Sequence, residues 1–99
     1  MPFIPVTPNR KAIDKNGLKS CKSVGDLCYY HYRQMMDEWN KEPRWTTAHI
    51  IYVAMVNEQG SRDISLDGKI AYQLAWQVFF QLHVMPYEHK KRAENGDIV

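Results

Sequence analysis

The stretch SLDGKIAYQLAWQVFFQLHVMP, residues 65–86, decides how this chain is read. Ile70, Ala71, Leu74, Ala75, Val78, Phe79, Leu82 and Met85 recur at three- and four-residue steps, the spacing that lays side chains along one face of an α-helix. Ser65 stands where a hydroxyl can accept from the first free helical amides. The spacing therefore predicts a long helix from Ser65 to the neighbourhood of Met85, with a wide apolar face turned to a core. Trp76, Phe80 and His83 fall off the centre of that face and make a second, narrower aromatic strip able to meet another helix or another chain. Pro86 has no amide hydrogen, so it either kinks the helix or opens a new one at its first position. Gln73, Gln77, Gln81 and His83 break the apolar run, which stays short of the roughly eighteen uninterrupted apolar residues of a membrane-spanning helix.

Working back from this element, Ser61 to Ser65 is a polar connection. Before it, Ala48, Ile50, Ile51, Val53, Ala54, Met55 and Val56 run to Gly60. The run is apolar almost all round. Its β-branched residues would also suit a strand, but its length and its Thr and Gly boundaries favour a buried helix capped by Thr46 or Thr47. Pro43 marks the connection ahead of it. Ser23 with Asp26 three residues on resembles a capping box, and Val24, Leu27, Cys28, His31, Met35 and Trp39 form one stripe, while Arg33, Asp37 and Asn40 fall elsewhere. A helix is predicted from near Val24 to near Asn40. Pro2, Pro5 and Pro8 hold the first residues extended, and Phe3, Ile4 and Val6 make that arm adhesive, for a groove of its own domain or for a neighbouring subunit. A short helical turn at Arg10 to Lys15, closed by Asn16 and Gly17, follows the arm. At the other end, Tyr87 to Asn95 reads as one or two exposed turns stopped by Gly96. The expectation is an all-α fold: a small three-helix bundle in one domain, 1–99, with a Pro-rich N-terminal arm and short turn over 1–22, a helical body over 23–95 and a polar C-terminal tail over 96–99.

With 99 residues, 44% hydrophobic and 24% charged, the chain can build one core and no more. A core this small leaves apolar area that self-association would cover. Thirteen Lys and Arg against eleven Asp and Glu give a formal charge of +2, far from the excess that holds a protein on nucleic acid by its overall field. Cys21 and Cys28 have no CxxC spacing, and no basic region followed by an apolar one precedes them. A soluble protein of the reducing cytoplasm is expected.

The two ends of the chain carry a family resemblance. Met1, Pro2, Phe3 and Ile4, with Arg10, Ile13 and Asp14 behind them, then Gly25, Asp26, Leu27 and Tyr29, open the chain. The ending has Val84, Met85, Pro86, Tyr87, Glu88, His89, Lys90 and Lys91, then Glu94, Asn95, Gly96, Asp97 and Ile98. Together these resemble a family of short uncharacterised proteins of tailed phages and prophages, whose members show a Pro-Tyr-Glu-acid-Lys-Lys stretch and a closing Glu-Asn-Gly-Asp. His89 departs from the acid usual there and Cys28 from the usual Asn, and residues 41–45 and 59–67 match poorly. The resemblance implies a helical fold and a phage context; it brings no catalytic residue.

The residues themselves point to no reaction. His31, His49, His83 and His89 form no HExxH pair and no Cys/His cluster. Cys28 and His31, three apart on one helix, can be read as two zinc ligands or a thiolate with its base, but core packing explains them more simply. No Gly-rich phosphate cradle, nucleophile elbow or paired-carboxylate signature is present, so no catalytic, cofactor or metal residue is assigned, and catalysis would need a pocket shared between subunits. Trp39, Trp45, Trp76 and Phe80 are candidates for a contact surface or for the core. Tyr87, Glu88, Lys90, Lys91 and Arg92 can bind phosphate, or can complement the helix dipole and pair with one another. Glu94, Asn95 and Asp97 are candidates for docking against a symmetry mate. The expected function is that of a non-catalytic phage or prophage accessory protein, alone or as a homodimer, binding a host or phage protein in the host cytoplasm. The alternative is a nucleic-acid or nucleotide binder using Lys90, Lys91 and Arg92 with Arg33 or Arg44.

Overall fold

Local caps set where the helices begin. In the computed structural model, which describes residues 9–94, the Asn9 side chain accepts from the Ala12 amide at 3.2 Å and opens α1 (Arg10–Asn16). Gly17, at φ +66°, supplies the left-handed stop, and a 3-10 turn (Gly17–Ser20) follows. Ser23 Oγ accepts from the Asp26 amide at 3.1 Å, and the Asp26 carboxylate accepts from the amide of Lys22, one residue ahead of the cap, at 2.8 Å. The Ser23 cap opens α2 (Val24–Lys41). Ser65 Oγ does the same for the Gly68 amide, 3.1 Å away, at the head of α4 (Leu66–Phe79). Between them lies α3 (Trp45–Gln59), ended at Gly60. All regular structure among the described residues is helical. Residues 1–8 of the expected arm, and the expected tail, residues 96–99, lie outside those residues.

The start of α3 corrects the expectation. Neither Thr46 nor Thr47 caps it: the helix begins at Trp45, Arg44 holds the extended N-cap position, and no side chain closes it. Thr47 is drawn inward instead, buried beside Ala48. Pro43 keeps its predecessor Glu42 extended at φ −158°, and the chain turns helical again at Trp45, once the extended Arg44 is passed.

After Phe79 the helix widens into a π turn (Phe80–Val84) and resumes as α5 (Met85–Glu94). Two causes meet here. Pro86 cannot donate a helical hydrogen bond, and its ring would crowd the carbonyl four residues back. The buried positions Ala71, Ala75, Phe79 and Val84 are spaced four, four and five. An α-helix carries a residue five steps on about 140° away from the first, whereas the i to i+5 bonding of a π turn brings it back toward the same face. Val84 thereby joins Phe79 in the core, both with no exposed surface.

The core is Met35, Trp39, Ala48, Ile51, Ala75, Phe79 and Val84. Trp39 stands edge-on to Phe79 at 5.6 Å and to Tyr87 at 5.5 Å, the T-shaped geometry that ring quadrupoles favour. α3 runs antiparallel to α4. Gln59 Nε2 donates to the Lys69 carbonyl near one end, Tyr52 meets Trp76 midway, and Trp45 meets Tyr87 of α5 at the other. Along α1, Tyr29 Oη donates to the Asp14 carboxylate at 2.9 Å, and Arg33 pairs with the same carboxylate.

Two further expectations are corrected. α4 does not bury its wide apolar face: only Gly68, Ala71, Ala75 and Phe79 are inside, and Ile70, Leu74 and Val78 are each more than 40% exposed. The small side chains win because they let α2 seat close to the α4 backbone, and one neighbour can cover only one side of a helix. α3 is a helix as expected but is not buried all round, since Ile50, Tyr52, Val53 and Val56 face outward. We expect Phe79→Ala to destabilise the fold by ~3–5 kcal/mol and Ser65→Ala by ~1 kcal/mol, both read from urea unfolding midpoints.

Candidate interaction surfaces

The polar groups that sequence reasoning offered for chemistry are mostly accounted for by internal partners. His31 is buried and stacks on Tyr72, ring centroids 3.7 Å apart. Burial lowers its pKa from 6.5 to about 4, so the ring is neutral at pH 7. Cys28 is half-buried and packs against the core, and burial raises its thiol pKa. A thiol held protonated beside a neutral core histidine is a poor nucleophile. Among the described residues, no three His, Cys, Asp or Glu side chains come together in a way that could hold a metal ion. His83, its pKa lowered by burial, shares a 2.7 Å hydrogen bond with Tyr32 Oη and so ties the π turn to α2.

Ion pairs absorb much of the basic C-terminal segment. Glu88 pairs with Arg92 at 2.8 Å and Glu94 with Lys91 at 3.3 Å, and Lys91 also lies over the Tyr87 ring at 5.7 Å. Arg33 pairs with Asp14 and Asp37, and Arg44 with Glu42. Lys90 is exposed on α5. Asn95 and Asp97 lie outside the described residues.

The aromatic candidates divide between core edge and surface. Trp76 and Phe80 are half-buried, with Trp76 packed among Tyr52, Phe79 and Phe80. Tyr87 sits between Trp39 and Trp45. Trp45 alone of the tryptophans is about half exposed, at 47%. From it, His49, Tyr52, Val53 and Val56 continue along α3 at steps of three and four, all exposed. That spacing makes one outward face. Its aliphatic members were missed in the sequence because an all-round apolar run suggested burial. The signal that could have found them is arithmetic: a chain of 99 residues has too few other helices to cover every side of this one.

A groove of about 240 Å³ separates α2 from α3, lined by His31, Met35, Glu38, Ile50, Ala54 and Tyr72 among others. Its walls are mainly apolar, and it offers no convergent set of polar groups for a substrate. No helix of the described residues is long and apolar enough to cross a membrane. No family model, no curated protein and no solved structure matches this chain.

The histidine gives a pH signature. Its folded pKa lies below the unfolded 6.5, so its contribution is complete above about pH 6.5 and is lost as the pH falls toward 4. We expect acidification across that window to cost on the order of 2 kcal/mol, with solvent in the groove screening part of the full shift. His31→Phe keeps the stacking on Tyr72 and should flatten this part of the profile relative to the parent, as measured by urea unfolding at pH 7 and pH 4.5.

Proposed function

We propose that this chain is a non-catalytic accessory protein of phage or prophage origin that binds a host or phage protein in the host cytoplasm, alone or as a homodimer. In this reading its three long helices form the bundle and the Pro-rich segment ahead of Arg10 is an arm. The observation that carries the binding role is the outward face of α3, where Trp45, Tyr52, Val53 and Val56 stand 40–47% exposed. Tryptophan and tyrosine flanked by an arginine are the side chains that dominate protein contacts. Here Arg44 adjoins Trp45, and Tyr87 braces it. The occupant this face fits is an apolar, weakly charged protein surface, such as one side of an amphipathic helix. The phage setting rests on the resemblance of the two chain ends and on nothing in the fold.

The nucleic-acid alternative draws no support from the geometry, since four of its five cations already have carboxylate partners. Salt separates the readings, because phosphate binding weakens steeply between about 50 and 200 mM salt and an apolar contact does not. The test is capture from bacterial lysate on the immobilised parent chain and on Trp45→Ala and Val53→Glu. The expected result is one stoichiometric protein, retained at high salt by the parent and lost from both variants while their circular dichroism stays helical. Retention of nucleic acid that elutes with salt, or equal capture by parent and variants, would contradict the reading.

A further inference from the structure

A second apolar surface lies on the other side of the molecule. Leu66, Ile70, Leu74, Val78, Leu82 and Met85 are 41–72% exposed and follow one another at steps of four, four, four, four and three. They form a ridge about 30 Å long at 1.5 Å per residue. Leu74 and Val78 stand two positions either side of Trp76, which is about 160° round the helix. Trp76 meets Tyr52 of α3, so the ridge points away from α3 and from the face assigned above to a partner.

The chemistry beside this ridge narrows its occupant. From Ile70 to Tyr87 the sequence contains no Asp, Glu, Lys or Arg, and the polar positions interleaved with the ridge are Gln73, Gln77 and Gln81, all exposed. A solvent-facing helix ordinarily carries charges, whereas the centre of an interface is depleted of them. A surface made to meet an acidic or basic partner would present the opposite charge, and a membrane-surface helix would be rimmed by Lys and Arg. A primary amide is both donor and acceptor, so a row of glutamines is complementary to itself. It meets another copy without the repulsion that any row of like charges would suffer.

We infer that this ridge is the contact between two copies of the chain, related by a two-fold axis near Gln77. This deepens the self-association named in the proposed function by giving it a face, and it does not depend on the α3 partner. Rows at i±4 pack into the matching grooves of a like helix at a crossing near 50°, which centres the contact on Leu74 and Val78. The six exposed side chains leave on the order of 500 Å² of apolar surface per copy, the size at which such patches mark docking sites. Complete burial of both ridges would remove about 1,000 Å², near the lower bound of a specific interface, and a crossing that covers chiefly their centres removes less, which makes the dimer a weak one.

Sedimentation equilibrium on the full chain tests this. The expected mass is about twice 11.7 kDa at ~100 µM, falling toward the monomer on dilution, as suits a contact of modest area. Leu74→Glu and Val78→Glu should each be monomeric at the same concentration with helical circular dichroism, and Trp45→Ala should remain dimeric. Should the glutamate variants misfold, Gln77→Cys in a Cys21→Ser, Cys28→Ser background gives the readout instead. Near the axis it should form an intermolecular disulfide under mild oxidation, whereas Asn57→Cys on α3 should not. A parent chain that stays monomeric at every concentration overturns the inference. So does a dimer that survives Leu74→Glu, or one that Asn57→Cys links and Gln77→Cys does not. A monomeric parent that still captures its partner through Trp45 would remove the dimer and leave the binding role standing.

Discussion

Trp39 standing edge-on to Phe79, where α2 seats on the Ala71 and Ala75 side of α4, is the contact on which the rest of the structure depends. Alanine there allows close approach of the two helices, and the indole supplies the buried area that residues so small cannot. Once that side of α4 is taken, every larger aliphatic on the helix must point elsewhere. The exposed row from Leu66 to Met85 is thus a consequence of how the core is built. The same contact explains the π turn, since the extra residue it absorbs is what returns Val84 to the side where Phe79 already lies.

This arrangement leaves the molecule with a small, mostly aliphatic interior in which Trp39 and Phe79 are the buried hydrophobic rings, and with two apolar exteriors. Several of its titratable groups have gone to structural uses: Asp26 to a helix cap, Asp14 to joining α1 and α2, and His83 to tying the π turn to Tyr32. His31 sits neutral against Tyr72. Groups committed in this way are poorly placed for acid, base or nucleophile chemistry, which needs a side chain aimed into a cleft with its reactive form available. What the surface does offer is apolar area on α3 and on α4, facing different ways.

Much of the helical plan was legible in the sequence because its signals are local. Ser23 with Asp26, Ser65, Gly17 and Gly60 act through their own backbone neighbours, and the structure places element boundaries at or next to each of them. The start of α3 was not legible. A threonine near a helix start can cap it or face the core, and Thr47 faces the core because of α2 and α4, which no local pattern reveals. The five-residue step from Phe79 to Val84 escaped for a different reason: helical apolar spacing is read at a period of 3.6, and a π turn departs from it. Hardest to read was which apolar residues are inside. Ile70 and Ala71, or Leu74 and Ala75, are equally apolar neighbours, and only the closeness of α2 selects the alanine of each pair. The outward face of α3 and the ridge of α4 were invisible for that reason; of the aromatic residues offered for a contact surface by type alone, Trp45 is exposed and Trp76 and Phe80 are half-buried.

The claim that the small-residue side of α4 is the inside and the large-residue side the outside can be put to the methionines. Met35 and Met55 are 4% and 5% exposed, and Met85 is 50% exposed. Their oxidation by peroxide follows access to the sulfur. With the chain dilute enough to undo any self-association, peptide mass spectrometry over a time course is expected to show Met85 oxidised well ahead of Met35 and Met55. Protection of Met85 together with rapid oxidation of Met35 would mean that α4 is seated the other way round, and the account would fail at its base.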